Sequence, residues 1–336
     1  MTNIVVTFAA DTEQREILTK IFDPSGRVTF LSDLPDEDRV RELSEAGVLF
    51  SWSPTREIRA EEFAKITKVK MLQLLSAGAD HVPFSQLPSS LVVACNAGAY
   101  AEPMGEHILA MILALTKNLL DRHNKLKGGI FDQSNVNRRL QGSSCAILGF
   151  GGAGKAAARI LRCFGVRIYA INTTGKTNES IEFIGTTKDL DHVLQLADII
   201  VIALPLTNAT RGLIGSRELA LMKDNAILVN VARGQIISEA ALYQKLKTCP
   251  NFMAAIDAWW NEPDQPNMSH AEFHTNYPFL DLPNVLGSPH NSGIVPGTLS
   301  EGIKHAAANI MRFTKNERIS GIVKPSASAR SRQRRR

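Results

Sequence analysis

The first part of the chain alternates between short apolar runs and segments whose apolar residues recur at helical spacing. Continuous apolar runs bounded by turn residues are typical of buried parallel strands, and apolar residues three or four positions apart indicate helices that bury one face. The alternation predicts a parallel sheet covered by helices on both faces. Strands are expected at Ile4–Ala9, Val28–Leu31, Val48–Trp52, Met71–Leu75 and Leu91–Cys95, and helices at Glu13–Phe22, Asp36–Ala46 and Ala60–Ile66.

The rest of the chain continues this alternation. Glu102–His123 predicts one long, buried helix, with Pro103 in its first turn, where proline is tolerated. The pattern as a whole predicts an α/β fold class. Further strands are expected at Cys145–Leu148, Val166–Ile171, Ile199–Leu204, Ala226–Val231 and Phe252–Asp257, and further helices at Thr187–Ala197, Ser216–Met222, Ser238–Leu246 and Thr298–Thr314.

A glycine-rich turn joins the strand at 145–148 to the helical pattern behind it. Gly149, Gly151 and Gly154 have the Gly-x-Gly-x-x-Gly spacing of a dinucleotide-binding turn, and Gly152 and Ala153 lie inside it. The first glycine would allow a tight turn, the second a close approach of pyrophosphate to backbone, and the third close packing of helix on strand. A flexible glycine-rich loop is the alternative, but the flanking strand and helix favour a dinucleotide site.

The residue expected beside the cofactor ribose is neutral. NAD-binding proteins usually place an acid at the end of the second strand, whereas this chain has Asn172 there. Thr173, Thr174 and Lys176 follow, and this neutral-to-basic group could hydrogen-bond or pair with a 2′-phosphate. The sequence therefore favours NADP as cofactor and leaves NAD open, since neutral residues tolerate either form.

Three polar residues stand just past predicted strands in the same half of the chain. Arg233 follows the strand at 226–231, Glu262 follows the strand at 252–257, and His290 closes the segment 285–290. Because parallel strands end at one edge of their sheet, these side chains are expected to converge over one crevice. Taken singly, each is more often a surface or capping residue.

A small-residue loop, Ser76–His81, follows another predicted strand, at the end where open α/β sheets bind ligands. The backbone amides of Ala77 and Gly78 are unobstructed by large side chains and could hold a carboxylate. A plain strand-to-helix turn fits the local sequence equally well.

The basic charge is confined to the C-terminus. The formal net charge is +5, and Arg330, Arg332, Arg334, Arg335 and Arg336 account for it. Residues 326–336 contain only Ser, Ala, Gln and Arg, so they have nothing large to bury and are expected to be a disordered basic tail. The charge gives no reason to expect nucleic-acid binding by the folded part. A solvated end is favoured for the tail over a nucleic-acid or partner-binding appendage.

Cysteine spacing and hydropathy narrow the class of protein further. Cys95, Cys145, Cys163 and Cys249 form neither a metal-binding pattern nor a disulfide framework, so no metal site is predicted and a reduced, cytoplasmic location fits best. The N-terminus reads as a first strand rather than a signal peptide. No apolar run is long enough to span a bilayer, and no membrane association is expected.

Taken together, these motifs resemble the D-isomer-specific 2-hydroxyacid dehydrogenase family, which includes glyoxylate and hydroxypyruvate reductases. The resemblance covers nearly the full chain, up to about Val323. The resemblance is specific because several motifs occur in the same order along the chain as in the family. These motifs are Ser76–His81, Gly105–His107, the glycine-rich turn, Leu204–Gly212, Val229–Gly234, Asp257–Pro263 and Ser288–His290.

The resemblance implies a role for each matching residue. Arg233, Glu262 and His290 would be the catalytic trio, and the amides of Ala77 and Gly78 would hold the substrate carboxylate. Leu204, Pro205 and Asp257 would join the glycine-rich turn in binding the cofactor, with Asp257 at the nicotinamide carboxamide.

The resemblance also implies two doubly wound, Rossmann-like parallel-sheet domains. A cofactor domain at 97–290 would be inserted into a substrate domain formed by 1–96 and 291–325. Homodimers are common in the family, so a homodimer is expected by resemblance.

The residue types suit the reduction of a small 2-keto acid, such as glyoxylate or hydroxypyruvate, to its D-2-hydroxy acid. This reaction needs a hydride from the nicotinamide and a proton for the developing oxyanion. Histidine titrates near neutral pH, so His290 could give the proton and, in the reverse direction, take it. Glu262 would fix its ring, and Arg233 would bind the carboxylate and polarise the carbonyl.

A binding protein is the alternative class. The same fold resembles that of corepressors that sense NAD(H) without turning over a substrate, and the Arg-rich tail is compatible with such a role. Retention of all three catalytic residue types favours an enzyme.

Overall fold

The structure, a computed structural model, describes residues 2–23, 26–134, 136–263 and 272–324. The chain divides into two compact units. One combines the chain up to Tyr100 with the segment from Val295 onward, and the other is Ala101–Ile294. The second unit is therefore inserted into the first in sequence, with bounds a few residues from the predicted ones. The predicted disordered tail lies outside the described residues.

The N-terminal part of the first unit alternates strand and helix as the hydrophobic pattern predicts. The strands β3, β4 and β5 are buried at every position, whereas the edge strand β2 is buried only at Thr29. Its elements are β1 (Thr2–Val6), α1 (Thr12–Phe22), β2 (Gly26–Phe30), α2 (Asp36–Glu45), β3 (Val48–Ser51), α3 (Pro54–Glu57), β4 (Met71–Leu74) and β5 (Val92–Ala94), with 3-10 helices at Leu31–Asp33 and Ala60–Lys65.

The inserted unit is built in the same way. Its elements are α4 (Ala101–Thr116), α5 (Leu119–Lys127), β6 (Ser144–Leu148), α6 (Gly152–Cys163), β7 (Arg167–Ile171), β8 (Phe183–Gly185), α7 (Leu190–Leu196), β9 (Ile199–Ile202), α8 (Ser216–Leu221), β10 (Ile227–Asn230), α9 (Glu239–Thr248), β11 (Met253–Ile256) and β12 (Val285–Gly287). Three short 3-10 helices lie at Thr187–Asp189, Gly234–Ile236 and Phe279–Asp281.

Two sheets result. The described strands of the inserted unit form a parallel sheet in the order β12-β11-β10-β9-β6-β7-β8. The chain then returns to the first unit through α10 (Thr298–Thr314) and β13 (Ile322–Lys324). The sheet of that unit has the order β13-β5-β4-β3-β1-β2, and β13 is its antiparallel edge strand. The predicted class of two Rossmann-like α/β domains is confirmed.

Side chains from alternate positions of the central strands of the inserted unit enter two separate cores. Ile147 and Val229 pack in one core, and Leu148 and Leu228 pack in the other. Because both faces are buried, the strands read as continuous apolar runs rather than as an alternation. The sheet is therefore a rigid base for the loops that leave its carboxyl edge.

The helix predicted at Glu102–His123 is interrupted. The α4 helix ends at Thr116, and α5 begins at Leu119 after Asn118, whose φ of 49° is left-handed. Asparagine adopts this conformation more readily than most residues, and it redirects the chain. The prediction of one long helix was wrong because apolar periodicity continues through the break. Within the described ranges, no helix is both long and apolar enough to cross a membrane.

Candidate active site

The predicted site residues of the inserted unit lie along one edge of its sheet. Since its described strands are parallel, the loops that follow them leave from the same edge. The glycine-rich turn follows β6, where the chain order switches between β9 and β7 on either side. Such a switch point is where open α/β sheets bind dinucleotides.

The geometry of the glycine-rich turn fits the role of each glycine. Gly149 has a φ of +101°, and a Cβ there would lie 2.4 Å from the carbonyl oxygen of Ala203. A Cβ on Gly154 would lie 2.2 Å from the carbonyl oxygen of Gly149, so this residue allows helix α6 to pack on the turn. Gly151 is exposed and has open space where a Cβ would stand. Open space beside the N-terminus of α6 is what a pyrophosphate requires.

Alanine at Gly151 and at Gly154 should have opposite effects. Gly154→Ala inserts a methyl group against backbone and should destabilise the protein by about 1–3 kcal/mol. Gly151→Ala meets no protein atom, so its unfolding free energy should be unchanged while the Kd for NADPH rises about tenfold, because the methyl group occupies the phosphate space. Urea unfolding and fluorescence titration measure the two quantities. A Gly151→Ala variant with normal cofactor affinity would contradict this placement of the pyrophosphate.

Asn172 organises the loop that follows β7. Its Oδ1 accepts hydrogen bonds from the backbone N–H of Thr174 at 3.0 Å and of Gly175 at 2.7 Å, and its Nδ2 donates to the carbonyl oxygen of Lys176 at 2.9 Å. These bonds close the loop on itself and leave Thr173, Thr174 and Lys176 exposed. The side chain predicted to contact the ribose thus shapes the loop, and its contact with cofactor stays a prediction.

The loop after β9 contains Leu204 and Pro205. Its start passes close to the glycine-rich turn, as the contact between Ala203 and Gly149 indicates. The hydroxyl of Thr210 donates to the carbonyl oxygen of Pro205 at 2.6 Å and fixes the loop. The two predicted cofactor residues therefore lie in the loop that follows β9, the strand paired with β6.

Glu262 and His290 meet directly, although they follow different strands. Oε2 of Glu262 lies 2.7 Å from Nδ1 of His290. The other carboxylate oxygen, Oε1, accepts the backbone N–H of Trp259 at 2.8 Å, which fixes the carboxylate. The two side chains are about one third exposed, 36% for His290 and 32% for Glu262. The pair is therefore both oriented and accessible to a ligand.

Asp257 holds the loop that carries His290. Its buried carboxylate accepts hydrogen bonds from the hydroxyl of Ser288 at 2.6 Å and from the backbone N–H of Asn291 at 3.1 Å and Ser292 at 3.2 Å. Burial alone would raise the pKa of Asp257, but these hydrogen bonds outweigh burial and hold its pKa below the ordinary value. The carboxylate stays ionised, and its predicted contact with the carboxamide is not tested by this geometry.

The backbone at His290 needs such support. His290 has a φ of 50°, a left-handed conformation that is unfavourable for residues other than glycine. Its N–H donates to the carbonyl oxygen of Asp257 at 2.9 Å. Asp257 thus fixes the loop through both its backbone and its side chain.

Arg233 lies after β10, beside the strand that precedes Glu262. The buried side chain of Asn230 holds this turn: Nδ2 donates to the carbonyl oxygen of Arg233 at 3.0 Å, and Oδ1 accepts the N–H of Ala232 at 3.1 Å. One guanidinium nitrogen of Arg233 donates to the carbonyl oxygen of Ala232 at 2.7 Å, and the side chain is half-buried. The structure thus brings Glu262 and His290 into contact and places Arg233 on the next loop of the same edge.

Sequence reasoning gave no role to Asn230 and Ser288, which hold two of these loops. Both residues lie within the motifs that carry the family resemblance, and their position at the end of a strand was the available signal.

Ala77 and Gly78 lie in the other unit, in the loop after β4, at the carboxyl edge of its sheet. Ala77 is exposed, and the hydroxyl of Ser76 donates to the carbonyl oxygen of Gly78 at 2.8 Å.

Comparison with known proteins decides the family. A family model described as D-isomer specific 2-hydroxyacid dehydrogenase, NAD binding domain, matches residues 109–292, which is more than half of the chain. The chain belongs to this family. As a 2-hydroxyacid dehydrogenase family member it has an NAD-binding domain in the inserted unit, and the family is one of NAD(P)-dependent oxidoreductases. The resemblance inferred from the motifs is confirmed.

The chain is similar to proteins of this family that carry different enzyme names. A D-3-phosphoglycerate dehydrogenase of Methanocaldococcus jannaschii is 30% identical over 87% of this chain, but the chain spans only 53% of that protein. A glyoxylate reductase of Aeropyrum pernix is 27% identical over 94% of this chain and 93% of its own length. The crystal structure of a glycerate dehydrogenase related protein from Thermoplasma acidophilum matches with a TM-score of 0.58 and 30% identity over 93% of this chain and 99% of that chain.

Proposed function

We propose that this protein reduces a small 2-keto acid to its D-2-hydroxy acid, with His290 as the proton donor. The observation that carries the proposal is the 2.7 Å contact between Glu262 and His290 at the sheet edge that also holds the glycine-rich turn. An oriented imidazole beside a dinucleotide site is the arrangement that carbonyl reduction requires.

Glu262 determines which imidazole nitrogen acts. Its carboxylate accepts a hydrogen bond from Nδ1–H of His290, so Nε2 is the nitrogen left for the substrate. Protonated His290 donates from Nε2 to the carbonyl oxygen as negative charge develops there. In the reverse direction, neutral His290 accepts the hydroxyl proton at the same nitrogen. Glu262 keeps the ring in one orientation through both directions because Trp259 holds the carboxylate.

Arg233 supplies the fixed positive charge. Guanidinium groups form paired, charge-assisted hydrogen bonds with carboxylates, so Arg233 binds the 2-keto acid and polarises the carbonyl. In the other unit, the backbone amides of Ala77 and Gly78 are the groups proposed to hold a carboxylate.

The cofactor site consists of the turn at Gly149–Gly154, the loop residues Thr173 and Lys176, the segment Leu204–Pro205, and Asp257 at the carboxamide. A bound nicotinamide supplies the hydride. The chain orients the cofactor by offering open space at Gly151 and backbone amides at the start of α6. Because the exposed loop after β7 has a lysine and no acid at its start, NADP is the preferred cofactor.

Lys176→Glu should reverse this preference. A carboxylate at the exposed position repels a 2′-phosphate, so kcat/KM with NADPH should fall about tenfold while kcat/KM with NADH changes by less than about twofold. Asn172 would still close the loop through its own hydrogen bonds, so the variant tests charge rather than loop shape. A wild-type enzyme that strongly prefers NADH would contradict the assignment.

A panel of 2-keto acids tests the activity itself. Glyoxylate, hydroxypyruvate, pyruvate and phosphohydroxypyruvate, each with NADPH and with NADH, are compared by the loss of reduced-nicotinamide absorbance. The comparison favours glyoxylate and hydroxypyruvate over the phosphorylated acid, because the chain spans 93% of a glyoxylate reductase but only 53% of a phosphoglycerate dehydrogenase. Tight cofactor binding without turnover of any acid would contradict the enzyme and favour a nucleotide-sensing protein.

The protein acts as a homodimer through α5 and the segment after it. None of the side chains of this nine-residue helix is buried, although Leu119, Leu120 and Leu126 are apolar, and Phe131 beyond it is 79% exposed. A short helix needs packing to be stable, and exposed apolar side chains in such number are typical of an interface. A second copy presents the same apolar surface, and self-complementary pairing is the common form of assembly.

Glutamate at both Leu120 and Leu126 should convert the dimer into a monomer, because charges cannot be buried in an apolar interface. Light scattering after size exclusion measures the mass. Val40→Glu, at an exposed apolar position of α2 in the other unit, is the matched control and should stay dimeric. A monomeric wild-type protein would contradict the proposal.

The cytoplasm is the proposed location. All four cysteines are free thiols, and Cys95 and Cys145 are buried, as expected in a reducing compartment.

A further inference from the structure

A chain of hydrogen bonds joins helix α4 to the loop that carries His290. Nε2 of His107 lies 3.1 Å from the hydroxyl oxygen of Ser288, and that hydroxyl lies 2.6 Å from Oδ1 of Asp257. The same ring nitrogen of His107 is 3.7 Å from Oδ1 of Asp257. His107 and Ser288 are 181 residues apart in sequence, so this contact forms only in the folded unit.

The direction of the bonds follows from the ionisation of Asp257. An ionised carboxylate only accepts hydrogen bonds, so the hydroxyl of Ser288 must donate its proton to Asp257. The oxygen of Ser288 can then accept a bond, and the donor facing it is Nε2–H of His107. His107 therefore carries a proton on Nε2, and Ser288 has one orientation.

We propose that His107 is a positioning residue for the reaction: it fixes the hydroxyl of Ser288 on Asp257 and thereby holds the loop that presents His290. This proposal rests on the proposed function of His290. Two features give the contact its importance.

The first feature is that the loop depends on its neighbours to keep its backbone conformation. His290 has a left-handed backbone that its neighbours must maintain, and Asp257 maintains it with bonds to the backbone of residues 290, 291 and 292. The second feature is the rigidity of α4. Ile108, Met111 and Ile112 on this helix are buried in a core of the inserted unit, so packing fixes the position of the helix backbone at His107. His107 thus links a packed helix to a strained loop.

The test compares His107→Phe with His107→Gln. Phenylalanine keeps a planar ring but has no N–H, whereas the amide of glutamine reaches a position near that of Nε2 and donates a hydrogen bond. His107→Phe should lower kcat about tenfold, since a small misplacement of a catalytic group is costly, and should leave KM for the 2-keto acid within about twofold. His107→Gln should restore kcat to within about twofold of the wild type. Equal losses in both variants would overturn the proposal.

Ser288→Ala supplies a second, independent variant. Because His107 is proposed to act through the Ser288 hydroxyl, His107→Phe should add little to the loss in kcat caused by Ser288→Ala. Multiplicative losses in the double variant would overturn the proposal.

A spectroscopic measurement separates this proposal from the proposed function. The imidazole signals of His290, recorded by NMR without substrate, should be single in the wild type and in His107→Gln. In His107→Phe they should broaden or split as the loop loses its fixed orientation. This result would support the positioning role even if no 2-keto acid were turned over, and unchanged His290 signals in His107→Phe would overturn it.

Discussion

Replacing His290 with alanine should lower kcat for 2-keto acid reduction about 10³- to 10⁴-fold and leave the Kd for NADPH within about twofold. The size of the loss follows from removing the only proton donor that the proposal provides for the developing oxyanion. Cofactor binding should persist because the glycine-rich turn lies after β6, whereas His290 follows β12 at the end of the sheet. Steady-state kinetics and fluorescence titration measure the two effects.

Two further variants sharpen this experiment. Glu262→Gln keeps the size of the side chain but removes its charge, so it should lose activity to a smaller extent than His290→Ala. His274→Ala is the matched histidine control, because the His274 side chain is 81% exposed and pairs with Glu272. Full activity of His290→Ala would refute the proton-donor role.

Replacing Arg233 with glutamine should lower kcat/KM by about 10²- to 10³-fold, with a large increase in KM. The loss corresponds to two charge-assisted hydrogen bonds to the substrate carboxylate, each worth about 1.5–3 kcal/mol and not fully additive. Lysine should recover part of the activity because it restores the charge but not the paired geometry. Initial rates over a range of 2-keto acid concentrations measure this effect.

The matched control is Arg217→Gln. Arg217 forms an exposed ion pair with Asp191 at 2.7 Å, and such pairs contribute little to stability. An Arg233→Gln variant with unchanged KM would contradict the assigned contact with the substrate carboxylate.

The sequence was sufficient for the fold class, the family and the contact between Glu262 and His290. The reason is that parallel strands end at one edge of their sheet. The backbone topology therefore brings residues just past adjacent strands near each other, independently of their side-chain contacts. The glycine spacing was equally informative, because Gly149 and Gly154 face backbone atoms at distances that no side chain tolerates. These features depend on backbone topology, which the hydrophobic pattern encodes.

Features that depend on individual hydrogen bonds could not be predicted. Asn118 ends α4 through its own backbone conformation, although apolar residues continue on both sides. The three-residue strands β8 and β13 lack the longer apolar run that predicted the equally short β5. Asn172 has the position of a cofactor ligand in the sequence, yet the folded loop engages its side chain locally. The contact between His107 and Ser288 forms only in the folded unit, because the two residues are far apart in the sequence.

Chiral analysis of the product tests the central claim most directly. Hydroxypyruvate and NADPH are incubated with the wild-type protein, and glycerate is separated on a chiral column. The account predicts that D-glycerate forms in step with the oxidation of NADPH. Formation of L-glycerate, or no glycerate from a protein that binds NADPH, would contradict it.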